Sequence, residues 1–272
     1  MPRPLGRTEF YLQILLDLAL GAALGFLGGL FGIGGGIIAI PVLSLVFGMD
    51  QHLAQGTTLV MVVPNVMLGL WRYYKRGGVN VRYAVVLASS AVAVTYLAAR
   101  FAIGLRAPTL RMAFAVFIIA VAAYLIWQIG RKRAKRRHDS VPANVISPAD
   151  EKHPAPGWAI FVGAAGGILS GMFGVGGATI APPMLTTFYG FSQAGAQGLA
   201  LALVAPGSLV GLATYAKAGA VDWSQGLALA IGGLLFVSRG VTLAYKLSND
   251  MLKLSFAGLL VISAGMLVVA SR

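Results

Sequence analysis

The stretch Gly25-Phe26-Leu27-Gly28-Gly29-Leu30-Phe31-Gly32-Ile33-Gly34-Gly35-Gly36 returns, 142 residues later and without a gap, as Gly167-Ile168-Leu169-Ser170-Gly171-Met172-Phe173-Gly174-Val175-Gly176-Gly177-Ala178. The register persists downstream: Pro41 matches Pro183, Gln51 matches Gln193, and Ala54-Gln55-Gly56 matches Ala196-Gln197-Gly198. Pro64 matches Pro206, Gly69-Leu70 matches Gly211-Leu212, and Tyr73 and Lys75 match Tyr215 and Lys217. It still holds at Leu110-Arg111 and Phe114-Ala115 against Leu252-Lys253 and Phe256-Ala257, so the repeat covers nearly all of each half. A shared apolar composition brings leucines and alanines into chance register, but it does not align glutamine, proline and glycine. The chain is a duplicated half.

The residues around these motifs say where the halves reside. Of 272 residues, 58% are hydrophobic and 11% charged, and the mean hydropathy is +0.81. Soluble domains carry roughly 25% charged residues. Several apolar runs exceed the roughly 20 residues that cross a hydrocarbon core. The longest polar pieces, the first nine residues and the stretch from Arg131 to Pro156, are too short for a folded module. These numbers exclude a soluble enzyme and predict a multi-pass membrane protein that works inside the bilayer. Met1 to Glu9, with the apolar run that follows to Phe31 and no small-residue cleavage site, reads as a retained first span.

The expected fold is all-α, with two repeats of five helical segments and helices broken or re-entrant at the glycine motifs. The segments lie near residues 10–31, 34–48, 52–74, 82–104 and 108–130, then 157–173, 176–190, 193–216, 223–246 and 251–270. This divides the chain into a first transmembrane repeat (1–130), a basic cytoplasmic linker (131–156) and a second repeat (157–272). The second segment of each half is too short for a comfortable crossing at about 1.5 Å per residue. It is either a short span or the returning arm of a re-entrant hairpin. Placing Arg131–Arg137 in the cytoplasm puts 14 of the 21 basic residues inside and both termini outside. Each half then makes an odd number of effective crossings, which relates the halves by inverted topology.

The net charge of +13 reflects basic loops facing anionic lipid rather than nucleic acid. There is no cysteine, and His52, His138 and His153 have no metal-ligand spacing, so neither metal nor cofactor is expected.

The glycine runs lack the preceding strand and following Lys-Ser/Thr of a phosphate loop. Two readings remain open for them. They let helices pack closely, or they break the helix at membrane depth and expose backbone N–H groups at the next helix start, where an anion binds. Gly34, Gly35, Gly36, Gly176 and Gly177 are the candidates under the second reading. Gln55, Thr57 and Thr58 open the third segment and Gln197 opens its counterpart, with Asn65 and Ser208 about two turns on. Each serves either interhelical hydrogen bonding or ligand contact. Leu199 and Ala200 replace the two threonines, which makes a two-fold site chemically asymmetric. Arg239 has no counterpart in the first half and pairs with an anionic substrate or snorkels. Asp17 is the one carboxylate clearly inside a span, so a relay built from chains of Asp, Glu and His is poorly supported. Coupling would then be absent or borne by the substrate's own protonation.

In these repeated motifs the chain resembles the TauE/SafE sulfite exporter family of membrane permeases. The resemblance rests on Gly32-Ile33-Gly34-Gly35-Gly36, Pro41 and Ala54-Gln55-Gly56-Thr57-Thr58, with Gly174-Val175-Gly176-Gly177-Ala178, Pro183 and Ala196-Gln197-Gly198 in the second half. It implies a permease of the bacterial inner membrane that exports sulfite, sulfonates or related organic anions. Its partners would be that anion and the lipid bilayer, with no nucleic acid, and assembly into a homo-oligomer is compatible with it. The expected mechanism is alternating access, and the alternative is a passive anion channel with a glycine filter. A membrane enzyme is disfavoured, because no nucleophile, base and orienter occur together at membrane depth.

Overall fold

A computed structural model describes residues 7–77, 79, 81–138, 156–175 and 177–270. Ten α-helices and no strand occur among them. The first half contains α1 (Arg7–Phe31), α2 (Gly36–Val46), α3 (Gln51–Lys75), α4 (Val81–Gly104) and α5 (Ala107–His138). The second contains α6 (Pro156–Phe173), α7 (Ala181–Phe188), α8 (Gln193–Lys217), α9 (Trp223–Ala244) and α10 (Asn249–Ala270), with a single 3-10 turn, Gly177–Thr179, before α7. Seven of these helices are long and apolar enough to cross a membrane. Helix α5 runs on through Arg131–Arg137. The basic stretch therefore begins as a helical extension, because Lys and Arg are good helix formers and suit a helix C-terminus.

Helix boundaries repeat as the sequence does. The Asp50 side chain accepts from Leu53 N–H at 3.0 Å, and Ser192, its equivalent, accepts from Gly195 N–H at 3.1 Å. These caps open α3 and α8.

Lateral packing uses small residues at four-residue spacing. Gly21, Gly25 and Gly29 of α1 lie against Leu229, Gly233 and Val237 of α9. Their equivalents Gly163, Gly167 and Gly171 of α6 lie against Leu87, Ala91 and Thr95 of α4. A Cβ at any of the six would press on the neighbouring backbone, so the close approach requires glycine. Both contacts advance together along both helices, so each pair is parallel, and each joins one half to the other. Thr95 Oγ1 adds an interhelical bond, donating to Gly167 O at 3.2 Å.

The equivalent helices α3 and α8 cross in the opposite sense. Leu59 faces Gly211 and Gly69 faces Leu201, so ten residues forward on α3 is ten residues back on α8. This antiparallel pair forms the centre of the molecule. Around it, the rings of Phe31 and Phe256 pack at a tilt with centroids 5.3 Å apart, and the equivalent pair Phe173 and Phe114 is also 5.3 Å apart. Leu15, Leu97, Phe101, Val116, Leu235 and Ile262 are exposed on the outside, as a lipid-facing surface requires.

Candidate functional site

Both glycine motifs interrupt the helices. Gly32, Gly34 and Gly35 have φ of 68°, 69° and 91°, and Gly174 has φ of 66°. These are left-handed values that other residues adopt only at a cost, and they turn the chain out of α1 and α6. Gly34 lies against Val62 and Val66, so α2 begins beside the middle of α3 and returns to its start. The short segment of the first half is thus the returning arm of a hairpin.

The two breaks meet. A Cβ on Gly36 would lie 3.1 Å from Val175 Cα and 3.4 Å from Gly174 O. Gly174 in turn faces Gln55, and Gly32 faces Gln197. Each break therefore packs against the opening of the central helix in the other half. The first-turn N–H groups of a helix lack intrahelical acceptors, and Gly35, as N-cap of α2, carries no side chain to satisfy them.

The second break differs from the first in its backbone donors. Pro182 and Pro183 fall in the first turn of α7, where the equivalent positions of α2 are Ile40 and Pro41. Without N–H groups at 182 and 183, the carbonyls of Ala178 and Thr179 gain no α-helical bond. The chain forms a 3-10 turn instead, with Ile180 N–H donating to Gly177 O at 3.4 Å, and α7 starts only at Ala181. The two halves thus offer different sets of backbone donors.

The glutamines are fully buried and tied across the halves. Tyr215 OH donates to Gln55 Oε1 at 2.7 Å, and Tyr73 OH donates to Gln197 Oε1 at 2.7 Å. The same hydroxyls reach Gly171 O and Gly29 O at 3.5 and 3.3 Å. Gln55 Nε2 is buried with no hydrogen-bond partner beside the second break. Thr58 Oγ1 and both amide atoms of Asn65 are also buried and unpaired.

Other candidates have structural partners. Thr57 Oγ1 accepts from Asp222 N–H at 2.9 Å, which fastens α3 to the start of α9. Ser208 Oγ donates within α8 to Ala205 O at 3.0 Å. Gly177 packs on the Gly166 backbone. Arg239 is exposed, stacks over Phe236 at 4.5 Å and lines an open groove with Phe26, Ser238, Thr242, Leu243 and Lys246. None of the break glycines lines this groove. Gly176 lies outside the described residues. Tyr73 and Tyr215 were not among the expected site residues, although their exact match in the repeat register was a usable signal.

Comparison with known proteins agrees with this architecture. The sequence model described as Sulfite exporter TauE/SafE matches residues 17–267. A protein of Methanocaldococcus jannaschii named a probable membrane transporter is 26% identical, with 93% of this chain and 94% of that protein aligned. One from Xylella fastidiosa with the same description is 28% identical, covering 94% of this chain and 95% of its own length. A Bacillus subtilis relative, probable membrane transporter protein YunE, is 21% identical over 88% of this chain and 91% of its own. No solved structure matches the chain. Two buried glycine breaks in a multi-pass helical protein, together with a family match spanning almost the whole sequence, identify the chain as a membrane transporter of the TauE/SafE sulfite exporter family.

Proposed function

We propose that this transporter exports sulfite, an organosulfonate or a related small organic anion across the bacterial inner membrane by alternating access. The observation that carries the reading is the meeting of the two breaks, Gly36 against Gly174 and Val175, at the crossing of α3 and α8. Backbone N–H groups at the start of α2 and in the 3-10 turn, with the Gln55 amide, supply donors to an anion's oxygens there. Sulfite and sulfonates present three oxygens that accept from such donors without any cationic side chain.

The antiparallel course of α3 and α8 supports an inverted relation between the halves. Equivalent spanning helices that run in opposite directions need a two-fold axis in the membrane plane, and inverted halves rocking about a central site are a common basis for alternating access. Both repeats, 1–130 and 157–272, would contribute, joined through the basic segment 131–156.

Purified protein in liposomes, assayed with labelled sulfite and labelled methanesulfonate, tests this reading. Saturable flux with counterflow is expected. Folded protein that moves no anion overturns the proposal, and non-saturating conductance replaces the carrier with a channel.

A further inference from the structure

The carboxylate of Asp17 has no role in the anion site. It lies within α1, 4% exposed, and Gln225 Nε2 of α9 donates to its Oδ1 at 3.3 Å. A second acid, Asp222, caps α9 by accepting from Gln225 N–H at 3.1 Å, so both carboxylates are bonded to Gln225. From α3 Asp17 is met by no cation: His52 turns away to bond Leu105 O, and Asp50 caps the helix start. Arg239 of α9 lies about four turns further along the helix and is exposed. A carboxylate within a span whose hydrogen-bond partner is a neutral amide is costly to bury.

Packing does not explain the residue. In the second repeat the equivalent of Asp17 is Ala159, and that of Gln225 is Tyr83, yet α6 packs on α4 through the same glycine spacing. Two polar groups of α3 are likewise confined to the first half, whereas Gln51 recurs as Gln193. Gln51, Thr58 and Asn65 recur every seven residues along α3, and each has buried polar atoms without a partner. Thr58 and Asn65 have Ala200 and Gly207 as equivalents. Because Gly226 lies against Val60 and Gln225 bonds Asp17, the carboxylate is within about one turn of Thr58 in height. At that height the residues of α3 that meet the start of α9 are Thr57 and Val60.

We infer that Asp17 takes up one proton and releases it in each transport cycle, coupling anion movement to proton movement through a single carboxylate. In one access state a proton from water joins a carboxylate oxygen. In the other it returns to water on the far side, with no change of oxidation state. Asp17 sits where α1 of one half meets α9 of the other, so relative movement of the halves alters its access to water. This rests on the transport reading above and names the coupling ion that the reading leaves open.

The experiment has two arms. In the first, wild-type protein and D17N in detergent are titrated by difference infrared spectroscopy, without any substrate. A carboxylic-acid C=O band that titrates in the wild type and vanishes in D17N is expected. A spectrum unchanged by D17N overturns the inference whatever the protein transports. In the second, liposomes carrying an internal pH dye receive methanesulfonate, whose charge does not change with pH in this range. Wild-type flux should move protons, whereas D17N should retain methanesulfonate counterflow with proton movement at the level of protein-free liposomes. Asp17→Glu should restore the proton flux and guards against a folding defect. Proton movement undiminished in D17N, or wild-type methanesulfonate flux without protons, refutes the coupling while leaving anion transport intact.

Discussion

Tyr73 of α3 and Gln197 of α8, 124 residues apart in sequence, are joined by a 2.7 Å hydrogen bond in which the tyrosine hydroxyl donates to the amide oxygen. The equivalent bond from Tyr215 to Gln55 has the same length and lies at the opposite end of the α3–α8 crossing. Each glutamine backs onto the glycine break of the other half, at Gly32 or Gly174. The tyrosines therefore fix the walls against which both breaks rest.

Removing one hydroxyl leaves a buried amide oxygen without its donor, a loss of about 1–3 kcal/mol. Tyr73→Phe and Tyr215→Phe should each lower the thermal midpoint of the purified protein by similar amounts. Melting curves in detergent check this. A shift in one variant alone would mean that the two bonds, although equal in length, are not equivalent in the folded state.

The glycines of the parallel helix contacts separate packing from exposure. Gly25→Leu and Gly167→Leu push a side chain into the Gly233 and Ala91 backbones, respectively. Overpacking of this kind costs about 1–3 kcal/mol or more. Gly258→Leu and Gly265→Leu enter open space on α10 and should leave the melting curve unchanged. Size-exclusion profiles and melting temperatures of the four variants provide the comparison.

The helical segments and the duplication were legible because apolar length and a gapless repeat are local or linear signals. The matched pairs Tyr73/Tyr215 and Gln55/Gln197 were visible in that register, but their bonds join opposite halves and have no local signature. The same holds for Thr57, whose partner Asp222 is 165 residues away, so hydroxyl type alone could not separate a tether from a ligand group. The late start of α7 had a readable cause in Pro182-Pro183. Pro183 is shared with Pro41 of the first half, whereas Pro182 replaces Ile40 and has no counterpart in the repeat. Arg239 shows the limit of counting charges within spans, since only its exposed position over Phe236 distinguishes snorkelling from substrate pairing.

That distinction can be tested on transport. Arg239→Ala removes an exposed cation and should leave anion flux within about twofold of wild type, as surface changes remote from a site do. Gln55→Leu removes the buried Nε2 beside the second break and the acceptor of the Tyr215 hydroxyl, and should abolish flux. Initial rates in liposomes, normalised to inserted protein, decide between them. A larger loss in Arg239→Ala would move the anion site to the groove on α9.

The breaks themselves give the sharpest contrast. Gly35 has φ of 91°, and a Cβ there would sit 2.7 Å from Leu24 O and 3.2 Å from Met61 Cε. Gly35→Ala therefore combines a backbone strain of about 1–2 kcal/mol with a clash at the start of α2. Gly48 has φ of 65° with nothing within 4 Å of an added Cβ. Gly48→Ala pays a similar strain in the turn after α2 without touching the break. If the glycines serve the anion, Gly35→Ala should lose flux while Gly48→Ala, strained in its backbone but free of the clash, keeps it. Equal loss of flux in both, tracking the fall in melting temperature, would mean that the break acts through stability alone.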